Sequence, residues 1–387
     1  MSTPTDALRA RASSDQPAAG LVAVRRVLVF HVGSLGDTLV ALPAFWSVAR
    51  AFPAAERVML TKTPARGGIP VGRDILEGSG LFDDFMLFEG DHHAYGRDPP
   101  WWKKWFGVLR LVVALRARRL DLAVYLAPSA REPAQTRRDL LFFRLAGITQ
   151  VLGIQEATAV QDAATGLPAK EAQRLLGRLA GTPAWPEHPA QIRRDLALGE
   201  ADHAAVAQWL ATRVPEGAGQ RRWVAFAPGS NLAAKLWPPE RFEAVGRLLI
   251  QRHQIWPVVV GGTEDRGVAA RLIQAWGCGT DAAGALTVRQ SAALLDRCAL
   301  FVGNDTGTMH LAAAGGLPCV AVFSARDEPG KWYPMGGPHH VIRKPVPCAG
   351  CMLVQCVEHD RLCMRLIEVD EVVAAAEDLL RRGRVAA

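Results

Sequence analysis

The chain has 387 residues, more than one ordinary domain needs, and 49% of them are hydrophobic, enough to fill two cores. Its formal charge of +7, carried mainly by arginine, suits anionic ligands, an anionic membrane surface or nucleic acid; no nucleic-acid motif occurs, so that partner ranks last. No apolar run reaches the ~20 residues of a bilayer crossing, which argues against an integral membrane protein, and seven cysteines in a chain without a leader pattern argue against a disulfide framework.

Residues 1–20 are polar and lack the apolar core of a signal peptide, so they read as a mobile tail with nothing that directs export. Val27 to Val32 is a buried first strand. It runs into Gly33-Ser34-Leu35-Gly36-Asp37 and a helix predicted from Thr38 to Phe52. This turn is no dinucleotide fingerprint: G-x-G-x-x-G is absent, and the next strand, Arg57 to Leu60, leads into Thr61-Lys62 without an acidic residue for a ribose. A nicotinamide dehydrogenase is therefore disfavoured. Asp37 has two readings, a helix cap or a carboxylate at the mouth of an interdomain cleft that accepts a proton from a bound hydroxyl.

Around Trp101, Trp102, Lys103, Lys104, Trp105 and Phe106, rings alternate with ammonium groups ahead of a basic helix ending near Arg119. Such a segment either docks on an anionic membrane surface or acceptor, or packs its tryptophans into the domain's own core. Leu122 to Leu126 is a further strand, Thr136 to Ala146 a basic helix, and Glu171 to Ala180 the last helix of the first domain. The proline-rich stretch that follows reads as a linker. The expected division is a tail at 1–20, a first domain at 21–185, a linker at 186–199, a second domain at 200–365 and a terminal helical segment at 366–387.

In the second domain, Trp223 to Ala227 is a strand that ends in Pro228-Gly229-Ser230-Asn231; Lys235 and Trp237 follow, then a helix from Pro239 to His253. Pro257 to Val260 opens another strand, ending in Gly261-Gly262-Thr263-Glu264-Asp265, and Leu286 to Asp296 is a short helix. The chain is organised around the next stretch. Ala299 to Asn304 is an apolar strand, Asp305-Thr306-Gly307 a turn, and Thr308 to Ala314 a small-residue helix closed by Gly315-Gly316. Cys319 to Phe323 is again a buried strand, so that helix is the crossover between parallel strands. Loops at the carboxyl ends of such strands collect anions, and Asp305 to His310 reads as phosphate-facing. The plainer reading makes Asp305 or Thr306 a cap and His310 a satisfied core histidine.

Four cysteines cluster as Cys348-x2-Cys351-x4-Cys356-x6-Cys363. They could hold a structural zinc or iron, pack as reduced thiols, or oxidise to short-range disulfides.

Together, Gly33-Ser34-Leu35-Gly36-Asp37, Pro228-Gly229-Ser230 with Lys235 and Trp237, Gly261-Gly262, and Asp305-Thr306-Gly307-Thr308-Met309-His310 resemble glycosyltransferase family nine, the lipopolysaccharide heptosyltransferases. The resemblance spans residues 25–375 with the motifs in order. It implies an α/β fold of GT-B type, two facing Rossmann-like domains with an interdomain cleft, the first for the acceptor and the second for a nucleotide-sugar donor, usually ADP-heptose. It also implies an inverting reaction that needs no metal, a lipid-linked saccharide acceptor at the inner face of the cytoplasmic membrane, and a last helix returning to the first domain. By position, Asp37 matches the family's catalytic base. Ser230, Lys235, Asp305, Thr306, Gly307 and His310 match donor-site residues, and Glu264 a carboxylate that holds the nucleoside. Thr308 and His31 depart from the family's usual apolar and cationic residues. A protein or small-molecule acceptor, a sugar-nucleotide epimerase and a non-catalytic sugar-nucleotide binder are the alternatives.

Overall fold

The computed structural model describes residues 24–63, 72–88, 101–127, 132–155, 166–167 and 169–383, with the side chains of 101–105 outside that set. The tail expected at 1–20 lies outside the described residues, as do the side chains of Trp101, Trp102, Lys103 and Lys104.

Two parallel sheets organise the molecule. In the first, β1 (Arg26–Phe30), β2 (Glu56–Lys62), β3 (Asp84–Phe88), β4 (Leu122–Tyr125) and β5 (Val151–Leu152) lie in the order β3-β2-β1-β4-β5. Side chains alternate across β1 with the period of two that a strand imposes. Val27 and Val29 enter one core, while Leu28 and Phe30 enter another on the opposite face. The first core is covered by α1 (Leu35–Val40), α2 (Leu42–Ala51) and α3 (Gly72–Leu76), the second by α4 (Trp101–Ala117) and α5 (Pro133–Leu145).

The helix expected from Thr38 to Phe52 is in fact two. It begins at Leu35, because the Asp37 carboxylate accepts from the Ser34 N–H (2.7 Å) and closes the first turn. It breaks at Ala41, because Pro43 cannot supply the N–H that a continuous helix would need there.

After α6 (Glu171–Gly177) the chain straps both halves together. Trp46 of α2 donates its indole N–H to the Asp195 carbonyl (2.9 Å). Arg289 of the second half donates to the Leu196 and Ala197 carbonyls and pairs with Asp202 at 2.6 Å, in α7 (Glu200–Ala211).

The second sheet holds β6 (Trp223–Ala227), β7 (Trp256–Val259), β8 (Thr280–Asp281), β9 (Leu300–Asn304), β10 (Cys319–Phe323) and β11 (His339–Arg343), in the order β11-β10-β9-β6-β7-β8. Numbered from its own first strand this is 3-2-1-4-5-6, the doubly wound order whose direction reverses between β6 and β9. Its crossover helices are α8 (Pro239–His253), α9 (Arg266–Trp276), α10 (Val288–Leu295) and α11 (Gly307–Ala314), followed by the single turn α12 (Leu362–Arg365) and by α13 (Val369–Arg382).

One expectation fails here. The last helix does not return to the first sheet: α13 lies on α8 and on β9, β10 and β11, burying Val372, Val373, Ala376 and Leu379 beside Val302, Val320 and Val322. The physical reason is coverage, since α8 spans only part of that sheet face and the outer strands would otherwise show their valines to water. Arg222 donates to the Leu380 carbonyl, the Trp237 indole donates to the Ile367 carbonyl, and His340 pairs with Asp378 at 2.8 Å, fastening the helix there.

Candidate functional site

Both sheets present their switch points to the same cleft. In the first sheet β1 and β4 end side by side, and His31, just past β1, bonds the Leu126 carbonyl through Nδ1 (2.8 Å). Its ring is fully buried against Phe45. Burial lowers its pKa, and the Leu126 carbonyl and the Asp37 and Glu171 charges only partly oppose this. The neutral ring keeps its proton on Nδ1, leaving Nε2 buried without a partner.

In the second sheet β6 and β9 end side by side. Asn304 bridges them, its side-chain amide donating to the Pro228 carbonyl (2.7 Å) while its Oδ1 accepts from the Trp237 N–H (3.2 Å). Past Asn304 the chain turns into α11, whose N-terminal residue Thr306 lends no side-chain cap. The free N–H groups of that first turn and the positive end of the helix dipole favour an anion. Two polar atoms point the same way: Thr306 Oγ1 and His310 Nδ1 are buried with no hydrogen-bond partner, and Ser324 Oγ after β10 is a third. Buried polar atoms are rarely left unpaired unless a ligand or water completes them.

Charge is arranged around this turn in a line. Lys235 Nζ lies 2.6 Å from Asp305 Oδ2 and 3.2 Å from Asp327 Oδ2, and Asp327 in turn pairs with Arg326 at 2.7 Å. All four side chains are nearly buried. Burial pushes the Asp305 carboxyl up, Lys235 pulls it back down, and Asp327 pushes it up again. His310 is held neutral, its pKa lowered to about 3 by burial and then by Lys235. The edge of Trp332 meets its ring, with centroids 6.3 Å apart.

The two halves touch through helix starts. A Cβ on Gly36 would come 3.3 Å from the His310 ring, and one on Gly307 would come within 2.9 Å of Leu35 side-chain atoms. A glycine at 307 lets the Leu35 side chain seat directly on the start of α11. Asp37, at the start of α1, thus lies across this narrow contact from the uncapped turn of α11.

The structure therefore brings together Lys235, Asp305, Thr306, Gly307 and His310, with Asp37 opposite. Ser230 lies on the neighbouring loop after β6, its hydroxyl accepting from the Leu232 N–H (3.2 Å). Glu264 stands apart on the turn after β7, exposed and folded toward Thr263. Its neighbour Asp265 is the packed carboxylate, set so close to Gly229 and Gly261 that a Cβ at either would collide with it. Sequence reasoning missed Asn304, Asp327, Arg326, Trp332 and Asp265. The glycines at 229 and 261 were the only local sign of Asp265; the others come from loops whose pairing no spacing foretells.

The structure lends the cysteine cluster no support as a metal centre. Among the described residues no group of three or more His, Cys, Asp or Glu side chains is arranged to hold an ion. Cys348 and Cys356 lie near enough to raise the Cys363 thiol pKa, adding to burial, but Cys351 faces solvent. The loop takes its shape from Arg326, which donates to the Leu353 and Met352 carbonyls at 2.8 and 2.7 Å. Of the three readings open for these cysteines, a zinc or iron site finds no support in their arrangement.

The family model for glycosyltransferase family 9 (heptosyltransferase) matches residues 160–361, slightly more than half of the chain. The chain belongs to glycosyltransferase family 9. The matched span holds Ser230, Lys235, Glu264 and the turn from Asp305 to His310, but not Asp37. Lipopolysaccharide heptosyltransferase 3 of Escherichia coli is 30% identical over 143 residues, 36% of either chain. The chain thus aligns with about a third of the length of such relatives. In fold it is similar to the E. coli ADP-heptose lps heptosyltransferase II, with a TM-score of 0.65 and 18% identity over 92% of this chain and 99% of that one. It is similar also to a family 9 glycosyl transferase from Veillonella parvula, with a TM-score of 0.69 and 18% identity over 94% and 99%. The fold is α/β and GT-B-like.

The buried histidines have a consequence for stability. His310, at about 3, and His339, lowered by burial to about 4, both bind protons more weakly folded than at the ordinary 6.5. The folded state then holds fewer protons than the unfolded one below that value, so stability present above pH 6.5 is lost as pH falls toward 4 and 3. At His339 a second proton would also break a hydrogen bond, because Nδ1 accepts from the Cys319 N–H while Nε2 donates to the Met335 carbonyl. The unfolding temperature is expected to drop between pH 7 and about pH 4.5, and to drop less steeply in His310→Gln. Equal slopes in the two proteins would mean that His310 is not held neutral.

Proposed function

We propose that the chain transfers a heptose, or a related sugar, from an ADP-sugar to an acceptor hydroxyl, with inversion and without a catalytic metal. The observation that carries this reading is the uncapped start of α11, where Thr306 Oγ1 and His310 Nδ1 are buried without partners beside Lys235. A departing diphosphate needs a sink for its developing charge, and a helix N-terminus with neutral donors and a nearby ammonium provides one. The heptosyltransferase similar in fold acts, by its name, on ADP-heptose, which supports that donor here.

The remaining roles follow the same logic. Asp37, across the contact, is proposed as the general base that takes the acceptor proton. Ser230 is assigned to the donor side by its loop after β6, and Glu264, although it stands apart on the turn after β7, is proposed to reach the nucleoside of a bound donor. The proposed division puts the acceptor in the domain at 21–185 and the donor in the one at 200–365. The acceptor proposed is a lipid-linked saccharide of the lipopolysaccharide core, as the likeness to a lipopolysaccharide heptosyltransferase suggests.

The test is to incubate the protein with ADP-heptose and a heptose-lacking core lipid and to follow both sugar and ADP. Transfer with inverted anomeric configuration is the expected result. Isomerised ADP-sugar with no transfer would make the protein an epimerase. Binding without release of ADP would make it a sugar-nucleotide binder.

A further inference from the structure

The outward faces of α4 and α5 are apolar, the reverse of what a water-facing helix pair should show. On α4 the core side is made by Leu111 and Leu115, packed with Phe30, Tyr125 and Phe143. At helical spacing on the far side, Leu109 and Val113 are each 59% exposed, in line with Phe106 at 63%. On α5, Phe143 turns inward, and Leu141 and Leu145, one turn apart, are 58% and 52% exposed. With Val108, these two helices carry half of the large hydrophobic side chains exposed among the described residues. The two helices touch each other, and exposed apolar stripes on neighbouring helices mark a docking surface.

Its charge says what docks. Arg110 and Arg116 border the α4 stripe, and Arg137 and Arg144 border that of α5; all four are exposed. Neither helix exposes a carboxylate, since α4 contains none and the single acid of α5, Asp139, is buried and accepts from the Tyr125 hydroxyl at 2.9 Å. A second copy of the chain docked symmetrically would set these arginines against their own counterparts. We infer that this face binds an anionic lipid bilayer, with Leu109, Val113, Leu141 and Leu145 entering the acyl boundary and the arginines on headgroup phosphates.

The topology makes the placement useful. Helices that follow parallel strands start at the carboxyl edge of the sheet, so the first turns of α4 and α5 lie on the cleft side. A bilayer on this face would meet the opening of the cleft. The inference does not rest on the proposed chemistry, because it is read by binding alone.

The full chain is floated with vesicles of neutral phosphatidylcholine, or of the same lipid with about a third phosphatidylglycerol, at low and high salt. Wild type is expected to bind the anionic vesicles preferentially and less at high salt. The pairs Leu109→Ser with Val113→Ser, and Leu141→Ser with Leu145→Ser, are each expected to lower partitioning about tenfold, with ADP affinity and unfolding temperature unchanged. Arg110→Gln with Arg137→Gln should lower it severalfold and flatten the salt dependence. Undiminished binding by both serine pairs, equal binding to neutral vesicles, or no vesicle binding by wild type would each overturn the inference. So would a wild-type dimer in light scattering that the serine pairs dissolve while vesicle binding is absent.

Discussion

Asp37→Asn is expected to keep its affinity for the nucleotide-sugar and to lose turnover by ~10²-fold or more. The substitution separates the two readings of this residue. As a cap, Asp37 accepts from the Ser34 N–H at 2.7 Å and from the Ser34 hydroxyl at 2.9 Å. An asparagine oxygen accepts both bonds, so α1 and the contact of Gly36 with His310 should persist. What an amide cannot do is take a proton. The measurement pairs calorimetric titration with ADP-heptose and a turnover assay on the same preparation. Near-normal turnover would leave Asp37 with its structural task alone, and weakened donor binding would show that the helix start had moved.

Lys235→Ala is expected to have the largest effect on stability. Removing the ammonium leaves Asp305 and Asp327 facing each other, nearly buried, with Arg326 as the one remaining ion-pair partner among the described residues. Breaking a buried pair from one side costs about 3–5 kcal/mol, much of it the cost of the stranded charge. Donor binding should weaken as well, because the cation next to the α11 turn is gone. The double change Lys235→Met with Asp305→Asn distinguishes the two losses. It removes both partners, so denaturant unfolding should show stability partly restored, while sugar transfer should stay low. Restored transfer in the double variant would reduce Lys235 to a structural counter-ion.

Much of this protein was legible from local pattern. The apolar runs at Val27–Phe30, Trp223–Ala227 and Leu300–Val302 announce buried parallel strands, because strands covered on both faces need continuous hydrophobicity. Glycine and polar residues after them mark where the strands stop, and the helix Pro239–His253 lies where its prolines say it begins. The turn residues Lys235, Asp305, Thr306, Gly307 and His310 stand out for the same reason. What local pattern misjudged was extent: the break at Ala41 depends on a single proline that periodicity smooths over, and α4 starts at Trp101, ahead of the helix the pattern marked.

By itself, then, the sequence determined the two-sheet plan, the family and the loops at the strand ends, because each depends on residues adjacent in the chain. Only the tertiary structure decided which of those loops meet. The pairing of Lys235 with Asp305 spans 70 residues and that of Arg289 with Asp202 spans 87, and such partners are chosen by the order of strands in a sheet. The same holds for the final helix, whose amphipathic pattern announces a buried face but not the surface it covers. That surface was the β9–β11 half of the second sheet, where Val302, Val320 and Val322 share one core with its apolar face.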